Sequence, residues 1–167
     1  VDAERLRAEG LESVVLDLRD SASIQAAVAE ILDRTGGRLE GLFNNAAFGL
    51  PGAVEDLSRE ALREQFETNV FGALELTNRV IPMMRRQGGG RILYTSSVLG
   101  LVAFPYRGAY VASKFALEGL ADTLRLELVG TGIHICLIEP GPILSKFRDN
   151  AHTAYRRHIR AETSPHR

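Results

Sequence analysis

The sequence is poor in several residue types that define protein classes. Its 167 residues include one cysteine and no tryptophan, and the formal net charge is −1. The single thiol, Cys136, excludes an internal disulfide and a multi-cysteine metal site, and it fits the reducing cytoplasm, where we place the protein. A balanced charge gives no general attraction to nucleic acid or to an acidic membrane. No apolar run approaches the roughly 20 residues that a transmembrane helix needs.

The histidines and arginines indicate neither a metal site nor a nucleic-acid site. The four histidines have no cysteine or carboxylate partners at ligand spacing, so we expect no metal. Arginines cluster near the carboxyl end, at Arg156, Arg157 and Arg160, but no aromatic residues are interleaved as nucleic-acid binding favours. A solvated surface is therefore the favoured interpretation. With 45% hydrophobic and 25% charged residues, the chain has the composition of an ordinary globular domain.

Apolar periodicity alternates between short strand-like runs and long helical ones. Strands are predicted at residues 12–18, 39–46, 91–97 and 133–141, and helices at residues 21–37, 57–90 and 107–132. Helices of this length between strands need crossover connections, which means a parallel sheet covered on both faces. No repeat or linker divides the sequence. We therefore predict one α/β domain over residues 1–167, in which residues 150–167 form a tail or a substrate-covering segment.

Polar or turn-forming residues follow each predicted strand, at the end where open parallel sheets bind their ligands. Asp17 ends the first strand, and Asn44, Asn45 and Ala46 end the second. The third ends in Thr-Ser-Ser at residues 95–97 and the fourth in Pro-Gly-Pro at residues 140–142. This regularity indicates a binding site along one edge of the sheet.

The stretch "AYVASKFAL", which begins at Ala109, places Tyr110 and Lys114 four positions apart in a predicted helix. Residues at this spacing lie one above the other on a helix. A cation beside a phenol favours the phenolate, so Lys114 would make Tyr110 a usable proton donor and acceptor. The pair alone does not separate this chemistry from two exposed tips of a packed helix. The rest of the sequence has to decide.

An ordered set of motifs resembles the short-chain dehydrogenase/reductase family. The motifs are "NNAAFG", "TNVFG", "TSSVLG", "AYVASK" and "EPGPI", and the resemblance extends to about Phe147. It implies a Rossmann-like, doubly wound parallel sheet in a three-layer αβα arrangement. It also implies an oxidoreductase that uses NAD or NADP to interconvert an alcohol and a carbonyl.

The resemblance implies four catalytic residues. Tyr110 would be the acid/base, and Lys114 would lower the pKa of Tyr110 and bind the ribose of the nicotinamide. Both would contact the cofactor. Ser97 would hold the substrate oxygen; it precedes Tyr110 by thirteen positions, which favours it over Ser96. Asn69, in the long helix, would hold a water that links Lys114 to solvent.

Further cofactor contacts follow from the same resemblance. Asp17 would meet the adenine ring, although its position fits equally well a cap of the next helix together with Asp20. Asn45 and Ala46 would line the adenosine ribose. The wall beside the nicotinamide and a hydroxyl for its carboxamide would come from Pro140, Gly141, Ile143 and Ser145.

The segment between Ser97 and Tyr110 is most similar to members that handle steroids, retinoids or other lipophilic alcohols. The substrate pocket would then be walled by Leu99, Phe104, Leu144 and Phe147. Members of the family commonly associate through the two long helices, so a homodimer or homotetramer is expected. Neither the substrate nor the choice between NAD and NADP nor the direction of the reaction follows from these residues.

Two departures from the family pattern stand out. Ala47 replaces a glycine, which matters if that backbone needs a positive φ, and nearby Gly49 is a candidate to absorb the change. The first βαβ unit, with the glycine-rich loop that binds pyrophosphate, is not found before Asp17. We therefore expect an N- and C-terminally truncated catalytic core. The alternative is a non-catalytic, cofactor-sensing member or an inactive fragment of the same family.

Overall fold

The computed structural model of the protein describes residues 3–166. Its strands are β1 (Gly41–Asn44), β2 (Gly90–Thr95) and β3 (Ile133–Ile138). Its helices are α1 (Ala3–Ala8), α2 (Ser21–Arg34), α3 (Arg59–Phe66), α4 (Ala73–Arg86), α5 (Gly108–Glu127) and α6 (Phe147–His158). A π-helical turn, Glu67–Gly72, joins α3 to α4, and short 3₁₀ turns lie at Val54–Asp56, Val98–Gly100 and Ala161–Thr163.

The three strands form a parallel sheet in the order β1-β2-β3, as the alternation of strands and helices predicts. Leu42, Ile92 and Ile135 are paired across it and point to the same face, because side chains alternate along a strand. That face packs with α2, α4 and α5 into the main core. Phe43 and His134 alternate onto the opposite face and are exposed.

The strand predicted at residues 12–18 is wrong, because this segment pairs with no strand in the part of the chain that the structure describes. Val15 and Leu16 are exposed. Leu18 packs on the main core, and its carbonyl lies so close to Gly72 that a Cβ there would overlap it. A strand needs a partner for its backbone groups, and within the described residues the sheet ends at β1.

The helix predicted at residues 57–90 is continuous but not uniform. It begins after Ser58, whose Oγ accepts a hydrogen bond from the Ala61 N–H at 3.1 Å, as a capping serine does. The π-helical turn then interrupts it, a feature often found at functional sites. Near the carboxyl end, α6 begins before residue 150, so the predicted tail is partly helical.

A second, smaller core fixes the carboxyl-terminal segment. Leu50, Ala61, Ala109 and Ile159 are buried together there. Because Ile159 follows α6, this contact ties α6 to the same part of the molecule as α3 and α5. Across the described residues, no helix is long and apolar enough to cross a bilayer.

Candidate active site

Tyr110 and Lys114 lie in the first two turns of α5, on its buried side. Tyr110 is 9% exposed and Lys114 is 1% exposed. The Lys114 Nζ lies 5.5 Å from the centroid of the Tyr110 ring and donates a hydrogen bond of 2.7 Å to the Thr95 carbonyl oxygen. Thr95 ends β2, so the pair is brought to the carboxyl edge of the sheet. Neither residue is a solvated helix tip.

Ser97 completes a cluster of three polar side chains. It lies beside the Tyr110 hydroxyl, close enough to lower the pKa of that phenol, and its Oγ accepts a bond of 3.1 Å from the Leu99 N–H. Ser96 points elsewhere, since a Cβ placed on Gly100 would lie 2.7 Å from the Ser96 Oγ. The structure thus places Ser97, rather than Ser96, against Tyr110.

The electrostatics of the pair differ from the expectation that Lys114 lowers the pKa of Tyr110. Burial raises the pKa of Tyr110, and the hydrogen bond with Ser97 opposes this with a smaller effect. Burial also lowers the pKa of Lys114 to about 8, against the charge of Glu118, which raises it. Desolvation by burial is the largest effect on the pKa of both groups, and the ammonium is bonded to the neutral Thr95 carbonyl. Tyr110 is therefore held in its protonated form.

Asn69 lies in the π-helical turn and is almost fully buried. Its Oδ1 accepts from the Phe48 N–H at 3.1 Å, and its Nδ2 donates to the Phe48 carbonyl at 3.0 Å and to the Ser113 Oγ at 3.1 Å. Ser113 in turn donates to the Tyr110 carbonyl at 2.8 Å. The side chain is thus committed to protein partners, and its predicted role in holding water stays a prediction.

The residues after β1 form one wall around Tyr110. A Cβ placed on Gly49 would lie 3.5 Å from the Tyr110 Cδ2 and 2.9 Å from the Phe147 Cζ. Phe147, the first residue of α6, also packs edge-on against the Tyr110 ring, with centroids 5.5 Å apart. The phenol is therefore enclosed between a backbone segment and an aromatic ring.

Several predicted cofactor contacts meet at the carboxyl edge of the sheet. The Thr95 Oγ1 donates to the Asn45 Oδ1 at 2.7 Å, and the Pro140 carbonyl accepts from the Val98 N–H at 3.2 Å. These bonds join the segments that follow all three strands. Farther along, Gly141, Ile143 and Ser145 lie in an exposed loop, where the Ser145 Oγ accepts from the Phe147 N–H at 3.3 Å.

Asp17 does not cap the next helix. Its carboxylate accepts from the Arg19 N–H at 2.9 Å and pairs with the Arg19 guanidinium, whose hydrogen bonds hold the pKa of Asp17 below its ordinary value. Asp20 alone is the cap of α2, through a bond of 2.9 Å to the Ala22 N–H. Asp17 therefore has an exposed carboxylate at the entry to α2, not one bonded to the sheet edge.

The replacement of glycine by Ala47 causes no backbone strain. Neither Ala47 nor Gly49 adopts a positive φ. Ala46 continues the exposed segment that follows Asn45.

The predicted walls of the substrate pocket are apolar and largely uncovered. Leu144 is fully exposed, Phe104 is 60% exposed and Phe147 is 37% exposed, whereas Leu99 is half-buried. Only Phe147 among these four contacts Tyr110 through an aromatic pair.

Three polar residues near the site were missed by the sequence analysis. Gln65 is fully buried and bonds to the backbone of the segment after β1. Ser113 links Asn69 to Tyr110, and Glu118 lies one turn after Lys114 with a buried Oε1 that has no hydrogen-bond partner. Gln65 and Asn69 are four positions apart, and this pairing of amides on a buried helical face was the signal for Gln65.

Comparison of the sequence with known proteins identifies the family to which the chain belongs. The model of the short chain dehydrogenase family matches residues 3–156. The uncharacterized oxidoreductase YbbO of Escherichia coli K12 is 48% identical over 149 residues, covering 89% of this chain and 55% of that protein. Human 17-beta-hydroxysteroid dehydrogenase type 1 is 42% identical over 139 residues, covering 83% of this chain and 42% of that protein. The chain thus spans about half the length of the curated relatives it matches.

A solved structure confirms the predicted Rossmann-like fold. The short chain dehydrogenase/reductase of Burkholderia phymatum, in complex with NAD, matches with a TM-score of 0.84 and 30% identity, covering 99% of this chain and 60% of that chain. Sequence motifs, parallel sheet and family model agree over nearly the whole length. The chain belongs to the short-chain dehydrogenase family.

Proposed function

We propose that the protein reduces a carbonyl to an alcohol, or the reverse, by hydride exchange with NAD(H) or NADP(H), with Tyr110 as the acid/base. The observation that carries this proposal is the cluster of Ser97, Tyr110 and Lys114 at the carboxyl edge of a parallel sheet. Ligands bind at this edge in open α/β sheets. A hydroxyl pair with a buried ammonium beside it suits proton transfer to an oxygen.

In the reducing direction, the Tyr110 hydroxyl donates its proton to the carbonyl oxygen of the substrate. A bound nicotinamide supplies the hydride that the carbonyl carbon receives. The Ser97 hydroxyl donates a hydrogen bond to the same oxygen and so stabilises its developing negative charge. The raised pKa of Tyr110 supports this direction, because a protonated phenol is the form that can act as the acid.

The residues present fit the ribose and nicotinamide end of such a cofactor. The Lys114 ammonium has three donors, and the Thr95 carbonyl takes one of them, so donors remain for ribose hydroxyls. Pro140 and Ile143 would bound the nicotinamide, with Gly141 between them and Ser145 beside its carboxamide. Asn45 and Ala46 would line the adenosine ribose, and the exposed carboxylate of Asp17 would meet the adenine.

A lipophilic substrate is the class that the pocket walls support. Phe104, Leu144 and Phe147 leave apolar surface uncovered beside the cluster, and apolar surface of this kind favours a hydrophobic ligand. The human relative is named as a 17-beta-hydroxysteroid dehydrogenase, so a steroid is the substrate of that protein. We infer a steroid-, retinoid- or similarly lipophilic alcohol or ketone.

Self-association would use the helices that carry the site. Phe71 in the π-helical turn is 50% exposed, and Phe115 and Leu120 in α5 are 45% and 38% exposed. Aromatic and aliphatic side chains of this size, exposed along packed helices, are typical of an interface. We propose a homodimer or homotetramer formed through these helices, in the cytoplasm that the single cysteine favours.

The test is the turnover of Tyr110→Phe in the whole protein, measured as oxidation of NADH and NADPH with retinal, a steroid ketone and a small ketone. General acid catalysis is worth roughly 10²–10⁴-fold, so we expect a loss of that size. Tyr94→Phe is the matched control, since Tyr94 is buried and bonds to Thr77 at 2.6 Å, away from the cluster. Full turnover in Tyr110→Phe would show that Tyr110 is not the acid/base, whereas no turnover in the wild type, with NADH or NADPH still bound, would favour the non-catalytic, cofactor-sensing alternative.

A further inference from the structure

Gln65 is the largest uncharged polar side chain that is completely buried, at 0% exposure. It lies in the last turn of α3, four residues before Asn69. Its Oε1 accepts from the Leu50 N–H at 2.8 Å, and its Nε2 donates to the Phe48 carbonyl at 2.7 Å. Both ends of the amide are therefore bonded to backbone, two residues apart in the segment that follows β1.

Gln65 and Asn69 hold this segment in different ways. Within this segment, Asn69 bonds only to Phe48, through its N–H and its carbonyl. Gln65 shares the Phe48 carbonyl but also takes the Leu50 N–H, which Asn69 does not reach. Gly49 is thus fixed on both sides only when Gln65 is present. Buried backbone groups need such partners, and here helix side chains provide them in place of a neighbouring strand.

Gly49 is the point at which this segment meets the acid/base. A Cβ there would lie 3.5 Å from the Tyr110 ring and 2.9 Å from that of Phe147. A shift of the segment would therefore open or crowd the space beside Tyr110. Displacements on the scale of an ångström at reacting groups can cost roughly 10²-fold in rate.

We propose that Gln65 is a positioning residue for Tyr110, acting through the backbone of residues 48–50 to fix the wall against which the phenol and Phe147 pack. This inference rests on the proposed function, in which Tyr110 is the acid/base. Its competitor is a structural role alone, in which Gln65 satisfies two buried backbone groups without any effect on Tyr110.

The chain contains a matched control in Gln87. Its Oε1 accepts from the Leu39 N–H at 3.1 Å, and its Nε2 donates to the carbonyls of Leu39 and Gly89, each at 2.8 Å. This glutamine holds backbone in the same manner, but before β1 and β2, at the opposite edge of the sheet from Tyr110. Gln65→Met and Gln87→Met therefore remove the same kind of side-chain-to-backbone bonds, one at the carboxyl edge of the sheet and the other at the amino edge.

The experiment compares both variants in the whole protein by thermal unfolding, by kcat and KM with a ketone substrate, and by titration of Tyr110. The Tyr110 signal is the ultraviolet absorbance change that disappears when Tyr110→Phe is added to each background. For Gln65→Met we expect kcat to fall about tenfold and Tyr110 to titrate at a lower pH than in the wild type, because a displaced wall admits water and relieves the burial that raises its pKa. Gln87→Met should lose stability while both properties stay as in the wild type.

Equal losses of stability in the two variants, with kcat and the Tyr110 titration unchanged in both, would overturn the proposal. Should Gln65→Met not fold, Gln65→Glu keeps the acceptor for Leu50 and the side-chain shape but not the donor to Phe48, and it is judged by the same two readouts. The Tyr110 titration does not depend on turnover. A failure of the proposed function would appear as normal turnover in Tyr110→Phe, whereas a failure of this inference leaves Tyr110→Phe inactive and the titration unmoved.

Discussion

The ammonium of Lys114 lies 2.7 Å from the carbonyl oxygen of Thr95, inside the protein. One strong hydrogen bond thus offsets only part of the cost of taking a cation out of water. Burial lowers the pKa of Lys114 to about 8. A lysine of the unfolded chain titrates near 10.4, so unfolding lets this side chain bind its proton more tightly.

The first prediction is that wild-type stability rises with pH relative to Lys114→Met. The cost of the buried charge is fully present below about pH 8, where Lys114 is protonated in both states. It disappears as the pH rises through the pKa of the unfolded state, because the proton is then lost from both. The gain approaches about 3 kcal/mol at most, from a shift of some two units. Urea unfolding of both proteins between neutral and strongly alkaline pH measures it; parallel curves would contradict the prediction.

The second prediction concerns Glu118, which lies one turn after Lys114. Its charge raises the pKa of Lys114 against the effect of burial, so Glu118→Gln should lower that pKa further below about 8. Carbon-13 NMR of labelled lysine, with the Lys114 signal identified by its loss in Lys114→Met, measures the shift. Asp122→Asn is the control, because Asp122 pairs with Arg125 on the exposed side of the same helix. An unmoved Lys114 resonance in Glu118→Gln would show that the two charges do not interact.

The third prediction compares two glycines in helical backbone. A Cβ at Gly72 would overlap the carbonyl of Leu18, which cannot move aside without its segment, whereas Gly119 has open space around the same position. Gly72→Ala should therefore destabilise the protein by about 1–3 kcal/mol, and Gly119→Ala should stabilise it by up to about 1 kcal/mol. Chemical denaturation gives both values.

If Asp17 contacts the cofactor, Gly72→Ala should also raise KM for NADH or NADPH with little change in kcat, because Leu18 is the neighbour of Asp17. A rise in stability for Gly72→Ala would contradict the prediction, because it would show that the segment containing Leu18 moves away from a new Cβ without a cost in free energy.

The fourth prediction concerns the attachment of α6. Ile159 is buried in the smaller core against Gly52, whereas Glu64 is half-buried and pairs with the exposed Arg157 and the half-buried His158. Ile159→Ala should cost about 2–4 kcal/mol and make α6 sensitive to protease. Glu64→Gln should cost about 1 kcal/mol or less. Limited proteolysis and thermal unfolding measure which variant loses more stability. A larger loss in Glu64→Gln than in Ile159→Ala would show that the ion pairs, rather than Ile159, hold α6 in place.

The fifth prediction tests the proposed interface. Phe115→Glu places a charge on the exposed apolar side of α5, and burying an unpaired carboxylate between subunits is strongly unfavourable. We expect a smaller particle by analytical ultracentrifugation and little change in the unfolding of the isolated subunit. Val129→Glu is the control, because Val129 follows α5 and its side chain is 78% exposed. An unchanged sedimentation coefficient for Phe115→Glu would exclude this face.

The spacing of residues along the sequence predicted those parts of the site that lie on a single helix or directly after a single strand. The four-residue separation of Tyr110 and Lys114 places both on the buried side of α5, and Ser97, which was favoured over Ser96, lies beside Tyr110. The three observed strands were predicted from short apolar runs that alternate with long helical patterns, which is typical of a parallel sheet.

Contacts between distant parts of the chain were not predictable in this way. Periodicity does not predict the hydrogen bond between Gln65 and the Leu50 N–H, because that bond depends on how the segment after β1 packs against α3. The run at residues 12–18 is as apolar as a strand, but forming one needs a neighbour that periodicity cannot supply. The direction of the pKa shift of Tyr110 likewise depends on burial in three dimensions, which outweighs the opposing effect of the Ser97 hydroxyl.

The π-helical turn has a consequence for insertions and deletions. Each residue added to or removed from a helix rotates everything beyond it by about 100°. The turn lets one continuous helix aim Gln65 and Asn69 at the segment after β1 and, farther on, Thr77 at Asn44 and Tyr94. A π-helical turn holds about one residue more than an α-helical turn, so deleting one residue from Glu67–Gly72 would give a regular helix in which Thr77 still faces both partners, whereas a deletion within α4 before Thr77 would turn it away. The irregularity therefore takes up one residue between the two faces without rotating one against the other, and we expect a one-residue deletion to be better tolerated inside this turn than in the α-helical parts on either side of it.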